Sequence, residues 1–188
     1  MNIKQEVRET IIMVLIAVIV FLAMRFSIQT YVVNGPSMEP TYTQGEWVIV
    51  NKLEYRFGLP ERGDICIVWS PIESNKRYIK RVIGLPGESV EVLNGKVYIY
   101  TVAGEVLKLE EPYIKYIARQ DFPKTGVPDS HYFVLGDNRN NSRDSREGWT
   151  IAQKDMIGKA WLDIWPVLRW GLAPNYVLPN STAAQSAE

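Results

Sequence analysis

The stretch 89-SVEVLNGKVYIY-100 decides the fold class. Val90 and Val92 alternate with polar neighbours before Asn94-Gly95, and Val97 and Ile99 do the same after it. Period-two alternation around a two-residue Asn-Gly loop specifies a β-hairpin closed by a type I′ turn. The same texture continues on both sides. Upstream, residues 47–50, 64–69 and 77–85 each read as a strand, with Gly and Pro marking turns between them. Downstream, strands are expected at 106–109, 132–135 and 160–165, with a short helix around 152–157. Short strands, frequent turns and the lack of an internal repeat give a mainly β, antiparallel domain.

The amino-terminal part differs. Residues 10–24 read TIIMVLIAVIVFLAM, and the run Ile11 to Met24 is uncharged with no polar stripe. A core helix of a soluble protein normally keeps such a stripe, so the segment reads as a transmembrane helix. Val7 and Phe26-Ser27-Ile28 lengthen it toward the ~20 residues a bilayer needs, and Arg25 can snorkel. No A-x-A site closes the segment, and charged, tyrosine-rich sequence follows, so a retained anchor is expected rather than a cleaved leader. Lys4 and Arg8 precede the span and Arg25 follows it, which puts the amino terminus in the cytoplasm and the remainder outside. The expected organisation is therefore a cytoplasmic stub and anchor at 1–28 and an extracytoplasmic β domain at 29–173. Within that domain a small accessory β region occupies about 88–130. The end, 174–188 (PNYVLPNSTAAQSAE), is expected to be a loose tail with little to bury.

Composition narrows the chemistry. Basic and acidic side chains number 21 each, so no basic field points to nucleic acid. The single cysteine, Cys66, cannot form an intrachain disulfide; within ICIVW it reads as a small buried hydrophobe. The single histidine, His131, leaves too few ligands for a Cys/His zinc site. It borders the apolar run YFVL and reads as structural or surface. A serine nucleophile in this chain would take its base from lysine or a carboxylate.

Three segments carry candidate chemistry. In 34-NGPSMEPT-41, Gly and Pro stiffen a loop that presents Ser37 between the anchor and the first strand, although most serines in such loops are turn residues. In 77-RYIKRVIG-84, alternation puts Tyr78, Lys80 and Val82 on one face. An unperturbed lysine has a pKa of ~10.4, and a lysine base must fall to ~7–8, a change of ~4 kcal/mol supplied by desolvation. Lys80 sits among apolar neighbours, though strand lysines usually face solvent. The third segment, 136-GDNRNNSRDSR-146, holds Asp137, Arg139, Asp144 and Arg146, which can pair and stiffen the loop. Ser142 can offer a hydrogen bond to a lysine amine. A calcium loop would need regularly alternating acids and a closing glutamate, which are missing; a plain solvated loop is the other reading.

Together these segments resemble the type I signal peptidases, serine peptidases that remove signal peptides outside the cytoplasmic membrane. The resemblance runs from about 33 to 165, through GPSMEPT, RGDICIVW, YIKRVIGLPGE and FVLGDNRNNSRDSR in that order. It implies Ser37 as nucleophile, Lys80 as general base and Ser142 as the residue that positions the Lys80 amine. Asp137, Arg139, Asp144 and Arg146 would be supports. Met38, Tyr78 and Ile79 would line shallow pockets for small residues at the first and third positions before the cut bond. Secreted preproteins would be the substrates, bound as an added strand, with membrane lipid adjacent and no cofactor or metal required. Where some relatives carry a serine two residues before the nucleophile, this chain has Gly35. The Ser37 backbone N–H remains one oxyanion donor, and a second is open. Two rival readings are a different Ser–Lys peptidase, such as a self-cleaving repressor, and a membrane-tethered β module without catalysis.

Overall fold

The computed structural model describes residues 3–179. The apolar segment is one helix, α1 (Ile3–Ser27), of 25 residues. At 1.5 Å per residue it is ~37 Å long, more than a ~30 Å hydrocarbon core. From Gln5 to Ser27 it is long and apolar enough to cross a membrane, and none of it is buried against the rest of the chain. Ile28 does not extend it. β1 (Ile28–Val32) begins there, because the Ile28 backbone pairs with Asn51. The helix end is tied to the sheet by Lys52, whose N–H donates to the Ser27 carbonyl at 2.8 Å and whose Nζ donates to the Arg25 carbonyl at 3.0 Å.

The chain continues through β2 (Trp47–Asn51), the short helix α2 (Glu54–Phe57), β3 (Ile65–Trp69), β4 (Arg77–Gly84), β5 (Ser89–Leu93) and β6 (Lys96–Tyr100). It then forms β7 (Val106–Lys108), β8 (Phe122–Gly126), β9 (His131–Leu135), β10 (Ile151–Ala152), β11 (Met156–Trp165) and β12 (Gly171–Leu172). The fold is mainly antiparallel β. The larger sheet runs β1-β2-β11-β3-β4-β9-β10, with β12 on β11, and the smaller runs β7-β6-β5-β8. The smaller sheet contains the expected hairpin in register from Ser89↔Tyr100 to Leu93↔Lys96. Its turn residues have φ of 50° at Asn94 and 72° at Gly95, both positive as type I′ demands. Val90, Val92, Val97 and Ile99 turn into a core shared with Ile83, Phe133 and Leu135, which fixes the two sheets together.

Two expectations change. The region 152–157 is a single 3₁₀ turn, Gln153–Asp155, between two strands. Met156 already opens β11, and a bulge between Met156 and Gly158 explains why no clean alternation marked the strand there. The segment 174–179 is also not loose, and 180–188 lie outside the described residues. Asn175 accepts from the Ile65 N–H at 2.7 Å and donates to the Ala160 carbonyl at 2.8 Å. Tyr176 packs on Tyr113 with ring centroids 5.1 Å apart, and Leu178 is buried in the core shared by the two sheets. The strap crosses Gly63 so closely that a side chain there would lie 1.8 Å from the Tyr176 carbonyl oxygen.

Candidate active site

Three segments that are distant in sequence converge. The loop holding Ser37 is braced by its own turns, Glu39 N–H to the Pro36 carbonyl at 3.1 Å and Tyr42 N–H to the Met38 carbonyl at 2.9 Å. Asn138 clamps it from the third segment, with its N–H donating to the Ser37 carbonyl at 3.0 Å and its side-chain amide donating to the Pro36 carbonyl at 3.1 Å. Gly136 permits this approach. A Cβ there would sit 2.4 Å from the Ser37 carbonyl oxygen and 2.1 Å from Ser142 Oγ.

Lys80 lies in β4 opposite Cys66 of β3. Its solvent-facing alternative does not hold, since the residue is only 3% exposed. Nζ is 2.8 Å from Ser37 Oγ and donates to the Ile79 carbonyl at 3.0 Å. Burial pulls the amine down from 10.5 to about 8; the Asp144 carboxylate is the main opposing influence. A lysine so placed has an appreciable neutral fraction near pH 8, and the neutral amine can accept the proton that the Ser37 hydroxyl donates. Cys66 has its own burial-raised pKa and packs as the expected apolar filler. His131 Nδ1 is 2.9 Å from the Asp129 carbonyl oxygen in its own turn, and His131 is not among the residues around Ser37 and Lys80.

The charged loop pairs mostly outward. Arg146 holds Asp144 through two contacts of 2.8 Å, and Asp144 also accepts from the Gly136 N–H at 3.1 Å. Arg139 instead reaches Glu111, between β7 and β8, at 2.5 and 3.0 Å. Asp137 takes both Thr41 Oγ1, at 2.5 Å, and a bidentate Arg81, at 3.0 and 2.7 Å. Arg81 was not singled out from sequence, although it directly follows Lys80. Its guanidinium is fully buried, donates to the carbonyls of Gly63 at 2.8 Å and Pro174 at 3.2 Å, and lies 3.9 Å from the Tyr113 ring centroid. A buried charge survives only when its donors are this well satisfied. Arg81 thus joins the Lys80 strand, the Ser37 loop through Asp137 and Thr41, and the carboxyl-terminal strap. Ser142 Oγ packs against Gly136 and is buried without a hydrogen-bond partner among the described residues, so it is not bonded to Lys80.

A groove of about 490 Å³ opens over Ser37 and Lys80, between Tyr31, Val32 and Val33 on one side and Tyr78 and Ile79 on the other. Tyr78 and Ile79 line it. Met38 does not; it is fully buried in the core that also holds Ile79. Both walls have open edges. Among the described residues, β1 pairs only with β2, and β9 meets β4 only from Arg81 onward, leaving residues 77–80 unpaired on that side.

A serine hydroxyl against a desolvated lysine amine, at the floor of a groove with unpaired strand edges, is the equipment of a serine protease that needs no histidine. Comparison with known proteins gives the particular family. The sequence model described as "Signal peptidase, peptidase S26" matches residues 6–165. A probable signal peptidase I-1 of Synechocystis is 37% identical over 175 residues, covering 89% of this chain and 87% of the relative. Signal peptidase IB of Staphylococcus aureus is 35% identical over 182 residues, covering 87% and 92% respectively. A crystal structure of a signal peptidase I from Enterococcus faecalis is 33% identical, with a TM-score of 0.44 over 53% of this chain and 95% of its own. The chain belongs to the signal peptidase family, peptidase S26, and is a serine protease hydrolase of the class that removes signal peptides.

Proposed function

We propose that Ser37 is the nucleophile and Lys80 the general base of an endopeptidase that cleaves exported preproteins after small residues. The observation that carries this reading is the 2.8 Å separation of Nζ and Oγ combined with the burial of Lys80. Neutral Lys80 takes the Ser37 proton as Oγ attacks the scissile carbonyl. The amine then returns that proton to the leaving nitrogen, and the signal peptide remains as an ester on Ser37. A water deprotonated by Lys80 releases it. The Ser37 N–H is one oxyanion donor, and Gly35 supplies no side chain as a second.

The substrate segment lies extended in the groove, where the open edges of β1 and β4 offer main-chain hydrogen bonds. The apolar floor from Val33, Ile67 and Ile79 leaves room for small side chains. Ser142 turns its free hydroxyl toward the amine once substrate is bound. Asp137, Arg139, Asp144 and Arg146 hold the loop that carries it. The enzyme is tethered by α1, amino terminus inside and β domain outside. Trp165, Leu168 and Trp170 are exposed, a composition suited to a membrane interface.

The test is cleavage of a preprotein with small residues at the first and third positions before the bond, by the full chain in detergent. Ser37→Ala, Lys80→Ala and Lys80→Arg should each lose activity while keeping the fold. His131→Ala should remain active. Cleavage at the wild-type rate by Ser37→Ala or Lys80→Ala would remove the mechanism.

A further inference from the structure

The groove's outer end is built around a cation that the chemistry at Ser37 does not use. Arg77 opens β4 and is the cross-strand partner of Trp69. Its guanidinium lies 5.2 Å from the Trp69 ring centroid and 5.3 Å from that of Tyr31 on β1, so it reaches from one wall toward the other. Two aromatic rings steady a guanidinium by its flat faces and leave its N–H edges for a ligand. Among the described residues, three cations line the groove, Lys76, Arg77 and Lys80, and no carboxylate does. Lys76 is paired with Glu73 and Lys80 with Ser37. Among the described residues, Arg77 forms no ion pair.

Resting on the reading that Ser37 and Lys80 cut a preprotein laid in this groove, we propose that Arg77 is a distal subsite that receives a carboxylate side chain of the preprotein, upstream of the cut bond. The upstream direction follows from the groove's ends. Gln29 and Thr30, which line it, lie in the first half of β1, the strand that leaves α1. The apolar part of a signal peptide approaches from that same membrane side. Arg77 and Ile79 share a face of β4, two residues or ~7 Å apart. The carboxylate therefore belongs about two residues farther from the bond than the side chain resting on Ile79. A lysine there meets a fixed like charge, so the subsite rejects basic residues as well as favouring acidic ones.

The experiment uses the full chain in neutral detergent and a preprotein series with Asp, Asn or Lys placed singly at the third to sixth positions before the bond. Wild type should cut the Asp substrate about threefold to tenfold faster than the Lys substrate, in kcat/KM, at one of these positions. The ratio should shrink in high salt and invert in Arg77→Glu, with thermal midpoints confirming that the variant is folded. An unchanged Asp-to-Lys ratio in Arg77→Glu, or a wild type indifferent to charge at all four positions, overturns the subsite alone. So does an Arg77→Glu variant that loses binding to phosphatidylglycerol vesicles while keeping the wild-type ratio, which would make the ligand a lipid phosphate. A wild type that cuts no member of the series overturns the reading of Ser37 and Lys80, and this one with it.

Discussion

Replacing Lys80 with methionine should abolish activity yet stabilise the fold at neutral pH, and the gain should reverse as the pH rises. Lys80 is 3% exposed, and burial pulls its amine from 10.5 to about 8. In the unfolded chain the amine stays protonated to ~10.4. The folded state therefore disfavours the charged form. That cost is fully present below about pH 8 and fades as pH climbs toward 10.5, amounting to ~3 kcal/mol at pH 7 and ~1.4 kcal/mol at pH 9.5. Methionine has a similar length and no charge. It gives up the contacts to Ser37 Oγ and the Ile79 carbonyl, each worth ~1 kcal/mol and independent of pH in this range. Lys80→Met should thus gain ~1 kcal/mol at pH 7 and lose ~0.5 kcal/mol at pH 9.5. Urea unfolding in detergent, followed by the fluorescence of the six tryptophans, reads the difference. With a slope of ~2 kcal/mol/M, the gap between variant and wild-type midpoints should move by ~0.8 M between the two pH values. Tyrosines and carboxylates titrate alike in both proteins and cancel. A gap that stays constant with pH would refute the desolvated amine on which the proposed mechanism depends.

The rate should follow the same group: kcat/KM should fall about tenfold per pH unit below about 8, as Lys80 takes up a proton, and a flat profile down to pH 6 would assign the base elsewhere. Ser142→Ala should cost no stability, within ~0.5 kcal/mol, because its buried hydroxyl has no partner to lose. Its kcat should nevertheless drop ~10–100-fold if the hydroxyl orients the amine in the substrate complex; unchanged kcat would leave Ser142 without that role. Leu178→Ala should destabilise the domain by ~2–4 kcal/mol, read as a lower thermal midpoint, whereas a truly loose tail would show no change.

The β class was legible because its signal is local. Asn94-Gly95 between alternating valines determines its own hairpin whatever surrounds it, and α1 announces itself by uniform apolarity. β1 was hidden because IQTYV has mostly exposed side chains and abuts the helix, so nothing in its pattern separates it from the flank of α1. β8, FPKTG, carries Pro and Gly, tolerated there because it is an edge strand. For the candidate site, residue types suggested a Ser–Lys pair, but position 80 alone does not say which way its side chain turns. That depends on the whole sheet order closing over it. The partners of Asp137 and Arg139 were unreadable for a related reason. Arg81 and Glu111 are 56 and 28 residues away, and charge pairing over such spans is decided by the fold.

The strap at 174–179 gives the fold an order of completion. These residues leave the ribosome after every strand of both sheets, yet they supply a carbonyl and an aromatic ring to Arg81, the neighbour of Lys80. A nascent chain can form its hairpins and still have that guanidinium incompletely housed. The surroundings of Lys80 should therefore be complete only once residues 174–179 have been made and have docked.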